Sequence, residues 1–265
     1  MTVLTSIIAG VREDLAARVR VVPAAQIRRD AEAAAPPIDV VPLIRASSGI
    51  GLIAEVKRSS PSKGALAPIT DPSALAADYS AGGANAISVL TEQRRFRGTL
   101  ADLDAVRSRV STPVLRKDFM VDEYQFYEAR AHGADIVLLI VAALSDAQLA
   151  EFYALTRALG MRALVETHDA GEVERALRLD AELIGVNARN LKTLEVDRDH
   201  AAALVGTIPS ERLAVAESAV VDLADVEAYA AAGADAVLVG EALVTHSNPR
   251  DAARAFTQVS RRGRA

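Results

Sequence analysis

Gly133-Ala134-Asp135-Ile136-Val137-Leu138-Leu139-Ile140 decides the fold. A helical stretch lies behind it, and the residues after Asp135 are a short run of branched apolar side chains. A glycine at that junction suits the left-handed cap that ends a helix before the chain turns back. The junction recurs as Gly83-Ala84-Asn85 and Gly233-Ala234-Asp235, 50 positions earlier and 100 later. Both spacings are whole multiples of about 25 residues, one strand plus one helix. Working outward, eight apolar segments appear: Leu52–Lys57, Ala86–Thr91, Pro113–Asp118, Asp135–Val141, Ala163–Thr167, Leu183–Asn187, Leu213–Glu217 and Ala236–Gly240. Their mean spacing is about 26 residues. Stretches between them, such as Ala147–Leu159 and Leu223–Ala232, have helical periodicity. Alternating strands and helices imply a parallel sheet with right-handed crossovers. Eight such units predict an α/β fold, a closed (βα)8 TIM barrel, with a doubly wound open sheet as the alternative.

The first 48 residues lie outside this rhythm. Leu4, Ile7, Ile8, Val11 and Leu15, interrupted by Arg12, Glu13 and Asp14, read as an amphipathic helix. A second helical stretch through Ile27–Ala35 ends at Pro36-Pro37, and a short piece, Val40–Ala46, leads to Ser47-Ser48-Gly49. Such a segment has apolar stripes but too little mass for its own core. Residues 1–48 are therefore expected to pack as a helical extension on a barrel of residues 49–265, one domain overall.

Composition narrows the function classes. Of 265 residues, 51% are hydrophobic and 25% charged, which supplies a sizeable core and excludes disorder. A net charge of −5 argues against a nucleic-acid or anionic-membrane binder. With no cysteine, disulfides, thiolate metal sites and a catalytic thiol are excluded. The apolar run Ile136–Leu144 is far shorter than the roughly 20 residues a membrane span requires. The expectation is a cytoplasmic soluble protein, a monomer or at most a weak homodimer.

Polar residues belong where barrel strands run out, at the C-terminal face, because unpaired charges inside a filled barrel are too costly. Period-two alternation puts Ile53, Glu55 and Lys57 on one face, Leu115 with Lys117, Leu164 with Glu166, Gly185 with Asn187 and Arg189, and Val215 with Glu217. Five strands thus converge carboxylates, amines and an amide on one rim. Any one of these alone reads equally well as a structural ion pair. Two lysines and three carboxylates on matching faces make a poor stability device and point to acid–base chemistry.

Together, Glu55-Val56-Lys57-Arg58-Ser59-Ser60-Pro61-Ser62, Ile87–Glu92 with Phe96, Leu115-Arg116-Lys117-Asp118-Phe119, Leu164-Val165-Glu166, Gly185-Val186-Asn187-Ala188-Arg189-Asn190-Leu191 and Ala216-Glu217-Ser218 resemble the motifs of the indole-3-glycerol phosphate synthase family. They occur in family order along essentially the whole chain. The resemblance implies a tryptophan-pathway barrel enzyme that converts 1-(2-carboxyphenylamino)-1-deoxyribulose 5-phosphate to indole-3-glycerol phosphate, with loss of CO2 and water. It implies no metal and no organic cofactor. Carried over by position, Lys117 is the general acid, Glu166 a catalytic carboxylate at the base position, and Lys57 a second lysine acting as acid or anion clamp. Glu55 and Asn187 fix those ammonium groups and the substrate hydroxyls. Ser60 and Arg189 lie near the anthranilate carboxylate, Phe96 covers the aromatic ring, and Glu217 supports the polar network. The phosphate falls beyond the seventh and eighth strands, at Ser218-Ala219 and Gly240-Glu241. The implied partner is a small phosphorylated substrate. The alternatives are a phosphosugar isomerase on the same barrel and a weakened homologue kept for binding.

Two residues depart from the family pattern. Alanine stands at position 219 where relatives usually carry glycine, which is harmless at negative φ and strained at positive φ. Val40-Val41 replaces the aromatic residue that usually follows the Pro-Pro turn. Several lookalikes carry little. Gly49-Ile50-Gly51 precedes a strand, whereas a dinucleotide fingerprint must follow one. Glu166-Thr167-His168 offers two potential metal ligands at a common spacing, without paired histidines. Arg261, Arg262 and Arg264 read as a solvated tail.

Overall fold

A computed structural model describes residues 2–60, 63–191 and 193–264. Pro61 and Ser62 of the first rim motif lie outside the described residues. Eight parallel strands close into a barrel: β1 (Gly51–Val56), β2 (Ala86–Leu90), β3 (Val114–Lys117), β4 (Ile136–Ile140), β5 (Arg162–Thr167), β6 (Leu183–Asn187), β7 (Leu213–Glu217) and β8 (Ala236–Val239). β1 pairs with both β2 and β8, so no edge remains and the doubly wound alternative is excluded. Among the described residues, no helix is long and apolar enough to cross a membrane.

The repeated junction has a physical cause beyond its glycine. Gly83, Gly133 and Gly233 do take positive φ, at 97°, 75° and 98°. The residue two positions on then ties adjacent strands at the N-terminal end of the barrel. Asn85 Oδ1 accepts from the Leu52 N–H at 2.9 Å, Asp135 Oδ2 from Val114 N–H at 2.7 Å, and Asp235 Oδ2 from Ala214 N–H at 2.9 Å. In return, each of their own N–H groups donates to the carbonyl of that same residue, at 2.8–2.9 Å. A short acidic or amide side chain thus satisfies the backbone donor that opens each preceding strand.

Three helices precede the barrel: α1 (Val3–Val21), α2 (Ala24–Ala33) and α3 (Val40–Arg45). The connecting helices and the last turns follow as α4 (Pro72–Ala81), α5 (Leu100–Arg109), α6 (Glu123–Ala131), α7 (Asp146–Ala158), α8 (Ala170–Arg178), α9 (Arg198–Val205), α10 (Leu223–Ala231), α11 (Glu241–Val244) and α12 (Pro249–Thr257). Leu4, Ile7 and Val11 of α1 and Val40, Val41 and Ile44 of α3 join the barrel's apolar core, so the valines at 40 and 41 are buried in the aromatic's stead. Ion pairs set the register of α1 against the barrel: Arg94 meets Glu13 at 2.8 Å and Asp14 at 2.7 Å, and Arg18 meets Glu128 at 2.8 Å.

Glu128 also meets Arg116, a fully buried guanidinium on β3, at 2.9 Å. Arg116 further pairs with Asp118 at 3.1 Å and donates to the Thr91 hydroxyl and the Gln125 carbonyl. Alternation turns Arg116 away from its neighbour Lys117, so the outward side of β3 is locked to α6 while the inward side carries the amine.

The chain's last arginines are corrected by the structure. Arg264 donates to the carbonyls of Ile208, Gly233 and Arg212 and pairs with Asp235 at 2.7 Å. Arg261 donates to the carbonyls of Ile44 and Arg45. Only Arg262 is the solvated residue the sequence suggested for all three. Asp235 and the free carbonyls at the barrel's bottom attract the guanidinium groups, and sequence distance hides those partners.

Candidate active site

The C-terminal mouth of the barrel opens into a cavity of about 400 Å³. Glu55, Lys57, Ser60, Phe96, Lys117, Glu166, Asn187, Arg189, Glu217, Ser218, Ala219, Gly240 and Glu241 all line it. The strand register explains the gathering. Followed from strand to strand, the register sets Glu166 two residues beyond the position paired through β4 with Lys117, and Glu217 two beyond the one paired through β6 with Glu166, a step that the tilt of barrel strands turns into one layer.

At the centre, Lys117 Nζ lies 3.5 Å from Glu166 Oε2 and 3.4 Å from Glu217 Oε2. Burial opposes the ammonium, but the carboxylates of Glu217, Glu166 and Glu55 outweigh it and raise the Lys117 pKa above its ordinary value. The two carboxylates split. Burial raises Glu217, repulsion from Glu166 adds to it, and the group is pushed up to about 8 despite Lys117. Burial acts on Glu166 too, but Lys117, His168 and Asn187 overcome it and hold that carboxylate at about 2. Environments that drive paired carboxyls apart leave the lower one free to accept a proton. Of the two carboxyls facing the ammonium, Glu166 is then the more readily ionised.

A second pair stands on β1. Lys57 Nζ contacts Glu55 Oε1 at 2.7 Å, and Ser88 donates weakly to Glu55 Oε2 at 3.5 Å. Gly240 packs directly against this pair.

Gly185 gives room to the other cluster. A Cβ built there overlaps the Glu217 carboxylate and closely approaches Leu164. Gly185→Ala is therefore expected to displace Glu217, lowering kcat about tenfold or more and stability by about 1–3 kcal/mol. Urea unfolding and steady-state rates check this, and a variant matching wild type in both contradicts the crowding.

The loops complete the walls. Glu92 accepts the N–H groups of Arg94, Arg95 and Phe96 at 2.7–3.1 Å, which fixes the turn carrying Phe96. The Phe96 ring centroid lies 6.3 Å from that of Phe119. Asn187 Oδ1 accepts from Arg189 N–H at 2.9 Å and from the Ser218 hydroxyl at 2.7 Å, so it ties two rim loops together. The Arg189 guanidinium donates to the Leu194 carbonyl at 3.2 Å, and the Ser60 hydroxyl accepts from Lys63 N–H at 3.3 Å. Val3, Leu4 and Ile7 of α1 bring apolar surface to the cavity, giving it one ionic and one greasy side.

Ser218 and Ala219 take φ of 67° and 59°, both left-handed. The alanine that stands for the family's glycine is therefore strained by roughly 1 kcal/mol. Ala219→Gly is expected to stabilise the fold by up to about 0.5 kcal/mol, the relief being partly offset by a freer unfolded chain. A lowered urea midpoint in that variant contradicts the strain. Glu241 pairs with Lys63, so its charge is balanced beside the same loop.

Sequence reasoning passed over two residues at this mouth. Lys63 follows the first rim motif directly. His168 shares a strand face with Glu166 by the same two-residue spacing that in sequence reads as a pair of potential metal ligands. Its ring lies between Glu166 and Glu172, at 3.3 Å and 3.0 Å.

A closed (βα)8 barrel with an ammonium between unequal carboxylates at its C-terminal mouth defines an acid–base enzyme of the barrel class. The comparisons with known proteins agree and go further. A family model described as Indole-3-glycerol phosphate synthase matches residues 4–256. The chain is 59% identical over 261 residues to the indole-3-glycerol phosphate synthase of Arthrobacter sp. (strain FB24), covering 97% of this chain and 96% of that one. It is 60% identical to that of Rhodococcus jostii (strain RHA1), covering 95% and 93%. Among solved structures, a 3-hexulose-6-phosphate synthase superposes with TM-score 0.64 at 17% identity, over 78% of this chain and 98% of that one, a likeness of fold alone. The chain belongs to the indole-3-glycerol phosphate synthase family, the carboxy-lyases of tryptophan biosynthesis. The isomerase alternative falls with that.

Proposed function

We propose that this cavity closes the pyrrole ring of 1-(2-carboxyphenylamino)-1-deoxyribulose 5-phosphate and releases CO2 and water to leave indole-3-glycerol phosphate. The observation that carries the assignment of roles is Lys117, held 3.4–3.5 Å from the carboxyl groups of Glu166 and Glu217, the first pulled down by Lys117, His168 and Asn187 and the second pushed up by burial and by Glu166. In the first step the ring carbon bearing the carboxylate attacks the sugar ketone. The carbonyl electron pair moves to oxygen, which takes a proton from Lys117. Loss of CO2 returns an electron pair to the ring. Dehydration then expels the new hydroxyl as water and removes a proton from the neighbouring carbon. Glu166 takes that proton, and Lys57, steadied by Glu55, serves as the acid or clamps the developing anion.

The remaining lining residues suit the rest of the substrate. Arg189 and Ser60 receive the anthranilate carboxylate, a planar guanidinium being matched to that partner. Phe96 and the apolar side of the cavity cover the aromatic ring. Asn187 meets sugar hydroxyls. Backbone N–H groups around Ser218-Ala219 and Gly240-Glu241 hold the phosphate, the usual place for one in this fold. Residues 1–48 contribute the apolar wall through α1. The proposed working unit is a monomer or at most a weak homodimer in the cytoplasm.

The test is direct. Wild-type protein mixed with the carboxyphenylamino ribulose phosphate is expected to produce indole fluorescence. No signal, or full activity in Lys117→Ala, overturns the reading, and tight phosphate binding without turnover would instead mark a homologue kept for binding.

A further inference from the structure

His168 lies just past β5, one residue beyond the strand's last, with its side chain mostly buried between two carboxylates. Its Nε2 faces Glu166 Oε1 at 3.3 Å, on the side of that carboxylate turned from Lys117. Its Nδ1 meets Glu172 Oε2 at 3.0 Å. Glu172 is itself fixed. It occupies the first turn of α8, its own N–H donates to the capping Asp169 at 2.9 Å, and its carboxylate also accepts the His168 backbone N–H at 2.8 Å. The ring is thus hydrogen-bonded at Nδ1 to Glu172, while buried Nε2 and Glu166 Oε1 face each other at 3.3 Å without a hydrogen bond. A neutral ring donating from Nδ1 would turn an Nε2 lone pair on that carboxylate oxygen, so the geometry favours a proton on each nitrogen. The charged groups around it are Glu166 from β5 and Glu172 from α8, with Lys117 of β3 and Glu217 of β7 behind Glu166. β6 offers the uncharged Asn187. The 3-10 turn Val141–Ala143 presents a backbone carbonyl that Arg175 already occupies.

We infer that His168 is a positioning residue, an imidazolium anchored by Glu172 that clamps one oxygen of Glu166 and leaves the other, ionised, for Lys117 and the substrate proton. The inference rests on the assignment of Glu166 as the base. A buried carboxylate without that second cation would share a proton with Glu217 more readily, because Lys117 alone would face two anions. The imidazolium reading agrees with the direction of its own titration: burial lowers the His168 pKa, but the two carboxylates overcome it and raise it to about 10.

The experiment compares wild type, His168→Asn and Glu172→Gln by indole fluorescence across pH, together with 15N spectra of histidine-labelled protein at pH 8. His168→Asn is expected to lower kcat about tenfold with KM nearly unchanged, and to move the acid limb of kcat up by about 1–2 pH units. Glu172→Gln keeps the backbone bond and is expected to move the limb the same way by less. In wild type both ring nitrogens of His168, identified by their loss in His168→Asn, should be protonated at pH 8. Limbs unmoved in both variants, or a neutral ring at pH 8, overturn the inference. Wild-type protein without turnover would instead fail the assignment of the reaction, whereas turnover that needs Glu166 but ignores His168 fails this inference alone.

Discussion

Lys117→Met is expected to lower kcat by about 10²- to 10⁴-fold with KM within about threefold of wild type. The loss has two parts. The ketone oxygen loses its proton donor, so ring closure proceeds against an unrelieved alkoxide. The carboxylates at 3.4 and 3.5 Å lose the cation that separates them, so Glu166 rises toward Glu217 and the pair holds a proton between them. Acid and base functions therefore fail together in one substitution. Lys117→Arg should not restore the rate, since a planar fork cannot occupy the place of a compact ammonium between those oxygens. Steady-state rates from pH 6 to 9 decide this. A variant within tenfold of wild type at every pH contradicts the role.

Glu166→Gln is expected to produce a loss of similar size, about 10²- to 10⁴-fold in kcat, confined to a different step. Ring closure and decarboxylation need Lys117 but not the base. A single turnover of the variant should then release CO2 at a rate close to wild type while indole fluorescence lags far behind. CO2 and indole formation slowed equally would contradict the division of labour, because the carboxylate would then act before or during ring closure.

Much of this arrangement is legible in the chain because it follows local rules. The glycine junctions at 83, 133 and 233 mark helix ends, and the two-residue alternation in Ile53-Ala54-Glu55-Val56-Lys57 assigns the face of Glu55 and Lys57. Knowing that strands are parallel and that the barrel closes brings the ends of β3, β5 and β7, with Lys117, Glu166 and Glu217, to one mouth. What stays hidden depends on partners remote in sequence. Nothing local to Arg264 announces carbonyls at 208, 212 and 233. Nothing in Gly185 announces a carboxylate 32 positions on that needs its empty side. The sign of φ at Ala219 is a property of the closed rim loop, so the sequence raises the question and only the fold answers it. His168 is an intermediate case. Its spacing from Glu166 is visible, but the third member, Glu172, comes within reach only because α8 starts with a tight turn at Asp169.

The most direct test of the central claim is a crystal structure of the wild-type protein with an unreactive analogue of the carboxyphenylamino ribulose phosphate bound, its ketone and phosphate kept and its ring-activating nitrogen replaced by methylene. The expected result is one molecule in the barrel mouth, its ketone oxygen within about 3 Å of the Lys117 amine and its phosphate on the backbone of residues 218–219 and 240–241. An analogue bound elsewhere, or lodged in the mouth with its ketone turned away from Lys117, would contradict it.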